Sequence, residues 1–321
     1  MTESAHPRES LAPIPLPLDT TAQLLTRITA QLGAQLSHVQ LNGVRRPMSS
    51  PRLTSAAAGN PFTDPVAAGH TGSPSAPVLV AVAHGSRDPR ALRTVNRLLD
   101  RVRELRPGTD VRLGHIELDE PLLPDTLAAL GDREAVLVPL LLGRGHHVRH
   151  DIPAAVAAAP RLRARFAPPL GPHPLLVEAL HDRLVEAGWD GTEAGGRGAG
   201  VVIAAAGSRD PASAADARRT AAMLTERLGG VPVLPAYASA VSPTVPEALR
   251  ALAARGRHRV ALASYFTAPG RFATASRSAA PWIAAAPLGA HPALARLVLQ
   301  RYDDARNAPH AAADPRRLVT A

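Results

Sequence analysis

Neither cysteine nor lysine occurs anywhere in this chain of 321 residues. The missing thiols exclude disulfides, thiolate metal sites and iron–sulfur ligation through cysteine. Aromatic residues make up only 3%, so nothing supplies the stacking platforms of a nucleic-acid binder, although the net charge is +9 and the isoelectric point near 11.2. All 36 cationic residues are arginine, which with the wealth of Ala and Pro reads as a GC-biased coding background. Residues 1–75 hold five Arg against four acids. Most of the basic surplus therefore sits later, where a basic cleft for a polyanionic small molecule fits it. The opening MTESAHPRESLAPIPLPLDT has acids and prolines and no signal-peptide core. No uninterrupted apolar run approaches the roughly 18 residues of a spanning helix. A soluble cytoplasmic protein with no nucleic-acid or membrane partner is the expectation.

What is present is a unit written twice. Residues 78–89 read VLVAVAHGSRDP and residues 201–211 read VVIAAAGSRDP, which sets Gly85 against Gly207 at an offset of 122 residues. That offset places His84 opposite Ala206 and Glu117 opposite Ser239. Further on, GRGHHV (143–148) faces APGRFA (268–273), so His147 meets Phe272. Both copies close alike, on PLGPHPLL and PLGAHPAL. A scaffold with three metal-type side chains in one copy and Ala, Ser and Phe in the other reads as one active site with a framework beside it.

The pattern within each copy alternates strand and helix. VLVAVA is a continuous apolar run suited to a buried parallel strand, and Asp88-Pro89 offers a helix cap followed by a proline in the first turn. Leu92, Val95, Leu99 and Val102 then fall on one helical face. Each copy is expected to be an open, mainly parallel α/β sheet of about four strands with helices on both faces. The predicted organisation is a Pro/Ala/Ser-rich disordered tail over 1–76, with a possible helix carrying Leu24, Leu25, Ile28, Leu32, Leu36 and Val39. A catalytic unit (77–188), a linker (189–199), a degenerate second unit (200–305) and a tail (306–321) follow. His173 and His291, each before a proline, suit helix starts.

In such sheets ligands bind beyond the C-terminal strand ends. His84 follows the first strand, Glu117 lies near the end of the second and His147 lies after the third, so two imidazoles and a carboxylate are expected at one crevice. This set suits a borderline divalent ion such as Fe²⁺, Co²⁺, Ni²⁺ or Zn²⁺. His115, two residues before Glu117, is expected on the same strand face as a satisfied strand histidine rather than a ligand. His146 and His150 crowd His147, and are expected to be exposed loop residues.

At these residues the chain resembles the sirohydrochlorin chelatases, the class II enzymes that insert cobalt or ferrous iron into a tetrapyrrole, in their double-length form of two fused units. The match rests on HGSRDP (84–89), on Glu117 with Pro121, and on VPLLLGRGHHVRHDIP (138–153), where Gly145, His147, Val148, Asp151, Ile152 and Pro153 meet a G-x-H-V-x-x-D-I-P frame. The resemblance implies that His84, Glu117 and His147 hold the metal and take pyrrolic protons. It further implies that Arg87, Arg144 and Arg149 pair with substrate carboxylates, with the backbone N–H groups of Gly85 and Ser86 as a further anion contact. Sirohydrochlorin and Fe²⁺ or Co²⁺ are then the partners, with no cofactor beyond the substrate ion, in a monomer or homodimer. A non-catalytic tetrapyrrole or metal carrier on the same scaffold is the alternative.

Overall fold

A computed structural model describes residues 76–191, 198–239 and 241–309, all within the compact unit Thr71–Ala321. The predicted helix near the amino terminus, the centre of the linker (192–197) and the end from 310 lie outside the described residues.

The first repeat runs β1 (Val78–Ala83), α1 (Pro89–Leu105), β2 (Val111–His115), α2 (Leu123–Ala128), β3 (Glu134–Pro139), a wide π-type turn (His147–Asp151), α3 (Ile152–Ala157), β4 (Arg163–Phe166) and α4 (Pro174–Glu186). The second runs β5 (Ala199–Ala205), α5 (Pro211–Arg227), β6 (Val233–Tyr237), α6 (Val245–Ala253), β7 (Arg259–Ser264), α7 (Arg271–Ser278), β8 (Ile283–Ala284) and α8 (Pro292–Asn307). Both sheets are wholly parallel, in the orders β2-β1-β3-β4 and β6-β5-β7-β8. Every residue of β1 is buried, as its unbroken apolar run requires. Asp88 caps α1 by accepting the Arg90 N–H at 2.9 Å. Sequence periodicity revealed neither α7 nor β8. Only Ala273 and Ser276 of α7 are buried, and β8 has two residues, so neither writes a pattern.

The last helix of each repeat packs on the other repeat's sheet. Helix α8 covers α1, β3 and β4 of the first half, while α4 lies against α5 and β7 of the second. Tyr302 in α8 donates its hydroxyl to the Pro77 carbonyl at 2.6 Å, and Arg183 in α4 donates to Leu288 O at 3.0 Å. One hydrophobic core therefore runs through both halves, from Leu79, Val136 and Leu180 to Ile203, Leu294 and Val298. Two smaller cores line the outer sheet faces, around Leu127 and Ile152 in the first repeat and around Leu252 and Leu262 in the second. By sequence each copy closes with its own helix, and periodicity carries no information about which sheet that helix joins. Trp189, read as the first linker residue, is 4% exposed and stacks near Trp282 with centroids 5.8 Å apart. Among the described residues no helix is long and apolar enough to cross a membrane.

Both exchanged helices begin on a histidine cap, the role their position before proline suggested. His173 Nδ1 accepts the Leu175 N–H and His291 Nδ1 the Ala293 N–H, each at 3.2 Å. A protonated ring has no lone pair to accept with. Burial pushes both pKa values below the ordinary histidine value, helped by Arg301 at His173 and by Arg183 at His291. Asp182, 3.3 Å from His291 Nε2, opposes that shift without reversing it. The folded state thus binds fewer protons than the unfolded chain. Its stability is complete above about pH 6.5, the unfolded histidine value, and is lost as the pH falls through the depressed folded values. Thermal melts are expected to drop between pH 7 and 5, and the variant H173N/H291N, whose amides cap without titrating, to drop less. An unchanged slope in that variant rules the caps out as the cause.

Candidate active site

In the order β2-β1-β3-β4 the chain leaves β1 to one side for β2 and to the other for β3, so a crevice opens where their C-terminal ends diverge. His84 is the first residue past β1, Glu117 lies in the bend after β2, and His147 opens the turn beyond β3. Backbone pairing continues past the strands. Ile116 donates to Ala83 O at 2.9 Å and Glu117 to His84 O at 3.0 Å. Gly85 has φ +96°, and a β-carbon there would stand 1.7 Å from the Glu117 carbonyl oxygen, so only glycine permits this closure. The Ser86 N–H, expected to face an anion, donates instead to Asp119 Oδ2 at 2.8 Å. Gly85 and Ser86 thereby serve to tie the β1 and β2 loops together.

His84 Nδ1 lies 3.7 Å from Glu117 Oε1. The His84 and His147 rings meet edge to face, with centroids 4.6 Å apart at 87°. Two imidazoles and a carboxylate thus come together as their strand-end positions implied, and all three reach solvent, at 44%, 34% and 52% side-chain exposure. Their donors do not yet converge, and among the described residues no three His, Asp or Glu side chains are set to hold one ion. Asp151, which enters the sequence pattern only as part of the D-I-P frame, completes the group. Asp151 Oδ2 is 2.6 Å from His147 Nδ1. A carboxylate can only accept, so the proton sits on Nδ1 and the Nε2 lone pair is left bare for an electrophile. The four-residue spacing of His147 and Asp151 was the available signal. Beside Glu117, Leu118 holds φ +69°, a left-handed conformation that strains any residue but glycine. It is 50% exposed and Leu122 38%, which gives the crevice an apolar lip that periodicity did not reveal.

Two of the three arginines are directed elsewhere. Arg144 clamps Asp216 of α5 through its backbone N–H (2.9 Å), Nε (3.1 Å) and an Nη (2.6 Å). Arg149 Nε lies 2.9 Å from Asp210 Oδ2, close enough for charge pairing although its N–H is not aimed for a hydrogen bond. Both cations therefore fasten the loop that carries His147 to the second repeat, a partner that loop position alone does not reveal. Arg87 is exposed. His115 is 1% exposed with Nδ1 3.2 Å from Pro121 O, a satisfied strand histidine. It does not share a face with Glu117, because β2 ends at His115 and the alternation stops there. His146 and His150 are exposed, as expected.

The second crevice keeps the backbone and lacks the chemistry. Ser239 donates to Ala206 O at 3.0 Å, and Gly207, at φ +92°, would put a β-carbon 2.0 Å from Ser239 O. The repeat offset is thus a physical superposition. Ala206 is exposed, the Ser239 hydroxyl turns back onto Ala206 O at 3.0 Å, and Phe272 lies under the Arg271 guanidinium at 4.8 Å.

Known proteins share the two-repeat organisation. A family model described as CbiX matches twice, over residues 78–187 and 200–305. A sirohydrochlorin cobaltochelatase of Methanococcus aeolicus is 33% identical over 78 residues, 23% of this chain and 54% of that protein. A sirohydrochlorin cobaltochelatase of Priestia megaterium is 25% identical over 201 residues, 59% of this chain and 63% of that protein. The chain thus spans about half to two thirds of the length of these two relatives. Among solved structures, SirB from Bacillus subtilis with Fe3+ shares the fold at a TM-score of 0.59 and 22% identity, over 72% of this chain and 96% of that one. With its model matched once in each repeat, and over most of the chain, this protein belongs to the CbiX family.

Proposed function

We propose that the protein is a sirohydrochlorin chelatase, which exchanges two pyrrolic protons of the free macrocycle for one Fe²⁺ or Co²⁺. The observation that carries this reading is the asymmetric crevice. Two histidines meet at the switch point of one sheet, the second backed by Asp151, while the matching crevice has Ala206 and Phe272. His84 and His147 take the substrate ion through ring nitrogens, turning from their edge-to-face contact to converge on it, and Glu117 completes the set or accepts a proton. Neutral imidazoles also accept the pyrrolic protons as they leave. The macrocycle face rests on the apolar lip of Leu118 and Leu122, and Arg87 meets a peripheral carboxylate. Since Arg144 and Arg149 are engaged with Asp216 and Asp210, their part is to fix the loop that carries His147. The substrate is supported by the relatives from Methanococcus aeolicus and Priestia megaterium, both sirohydrochlorin cobaltochelatases.

Turnover separates an enzyme from a carrier. With protein at one hundredth of the sirohydrochlorin concentration and Co²⁺ or Fe²⁺ in excess, the free-base absorption bands are expected to vanish completely. Loss of one equivalent per chain and no more identifies a carrier instead.

A further inference from the structure

Outside the crevice, His146 and His150 stand one helical turn apart with ring centroids 4.6 Å apart and a 36° tilt. Both are solvent-exposed, and the hydrophobic cores include neither. The pair adjoins the proposed active site. His146 Nε2 lies 3.9 Å from Asp151 Oδ1, while the other oxygen of the same carboxylate holds His147. The His146 and His147 rings are 6.3 Å apart, and His147 meets His84. Four imidazoles and one carboxylate thus lie in a row from His150 to His84 at the switch point.

We infer that His146 and His150 form a second divalent-metal site, which captures the ion from solvent and holds it ahead of transfer to His147 and His84. Two side chains four residues apart on a helical turn share one face and can chelate a single ion. Imidazole nitrogen suits the borderline metals Fe²⁺, Co²⁺, Ni²⁺ and Zn²⁺. With only two protein ligands most coordination positions stay with water, so the ion exchanges readily, as a donor site must allow. Asp151 adds negative charge between the outer and inner pairs and favours a cation on either side. Holding the ion next to the crevice raises its effective concentration there without tightening the inner site. The delivery role rests on the chelatase reading, whereas the existence of the site does not.

The test begins without tetrapyrrole. Calorimetric titration of the full chain with Co²⁺ alone is expected to give two ions per chain, falling to one in H146A/H150A and to one in H84A/H147A. A wild-type count of one, or a double outer variant that still takes up two, overturns the site. In the metallation assay H146A/H150A is then expected to raise the KM for Co²⁺ about tenfold while kcat at saturating metal stays within twofold. A KM equal to wild type alongside the lower count overturns the delivery role. Should the wild type metallate nothing while the count still falls from two to one, the site stands and the chelatase reading fails.

Discussion

Replacing His84 or His147 by alanine is expected to lower kcat/KM for metallation by roughly 10²–10⁴-fold, the range over which a positioned acid–base group contributes. Each histidine is both ligand and proton acceptor in the proposed reaction, so the upper end of that range applies to a site with so few donors. The fold should survive, because side chains at 44% and 34% exposure lose little packing when shortened. Melting temperatures are expected to stay within a few degrees of wild type. The matched control lies in the same molecule: Ser239→Ala, at the position equivalent to Glu117, should leave turnover unchanged, and Ala206→His should create no second centre, because Ser239 and Phe272 supply no ligand. Steady-state metallation of sirohydrochlorin, with melts alongside, decides the matter. An active His84→Ala variant places the chemistry elsewhere.

The second large effect concerns the last helix of the chain. A protein ending at Leu288, and so lacking α8, is expected not to fold. Leu294, Leu297, Val298, Leu299 and Tyr302 are all buried, and at about 1.5 kcal/mol or more for each side chain their burial is worth on the order of 7 kcal/mol or more. That matches the whole stability of a typical domain, roughly 5–15 kcal/mol. The damage falls first on the half carrying the histidines, since α8 covers β3 and β4 and bonds to the start of β1. Circular dichroism and a denaturant titration provide the check. A cooperative transition near that of the full chain would show that the exchanged helix is dispensable.

These two expectations mark where the amino-acid string was readable and where it was not. His84, Glu117 and His147 could be placed because strand ends are set by local apolar runs, and a parallel sheet sends those ends to one side. The two copies could be aligned because Gly85 and Gly207 answer the same steric demand from a carbonyl on the next loop. Arg144 and Arg149 have partners that loop position could not reveal, for a different reason. Their partners, Asp216 and Asp210, lie 72 and 61 residues further along, and long-range pairing leaves no periodic trace. The same holds for α4 and α8, whose amphipathic faces were legible but whose destinations were not. Asp151 was visible as a spacing. That it holds His147 in one tautomer needed coordinates.

The reciprocal helix exchange also limits how the molecule can move. In enzymes that close around a ligand, two domains commonly swing about a few hinge residues. Here α4 belongs by sequence to one half and by packing to the other, and α8 reverses the arrangement. Swinging the halves apart would strip both helices from a shared core that includes Leu180, Leu294 and Val298. On the proposed chelatase reading, a macrocycle is therefore admitted and released by the loops after β1, β2 and β3 and not by a hinge between the halves. On that reading the pace of product release belongs to three strand-end loops, and substitutions between the halves leave it alone.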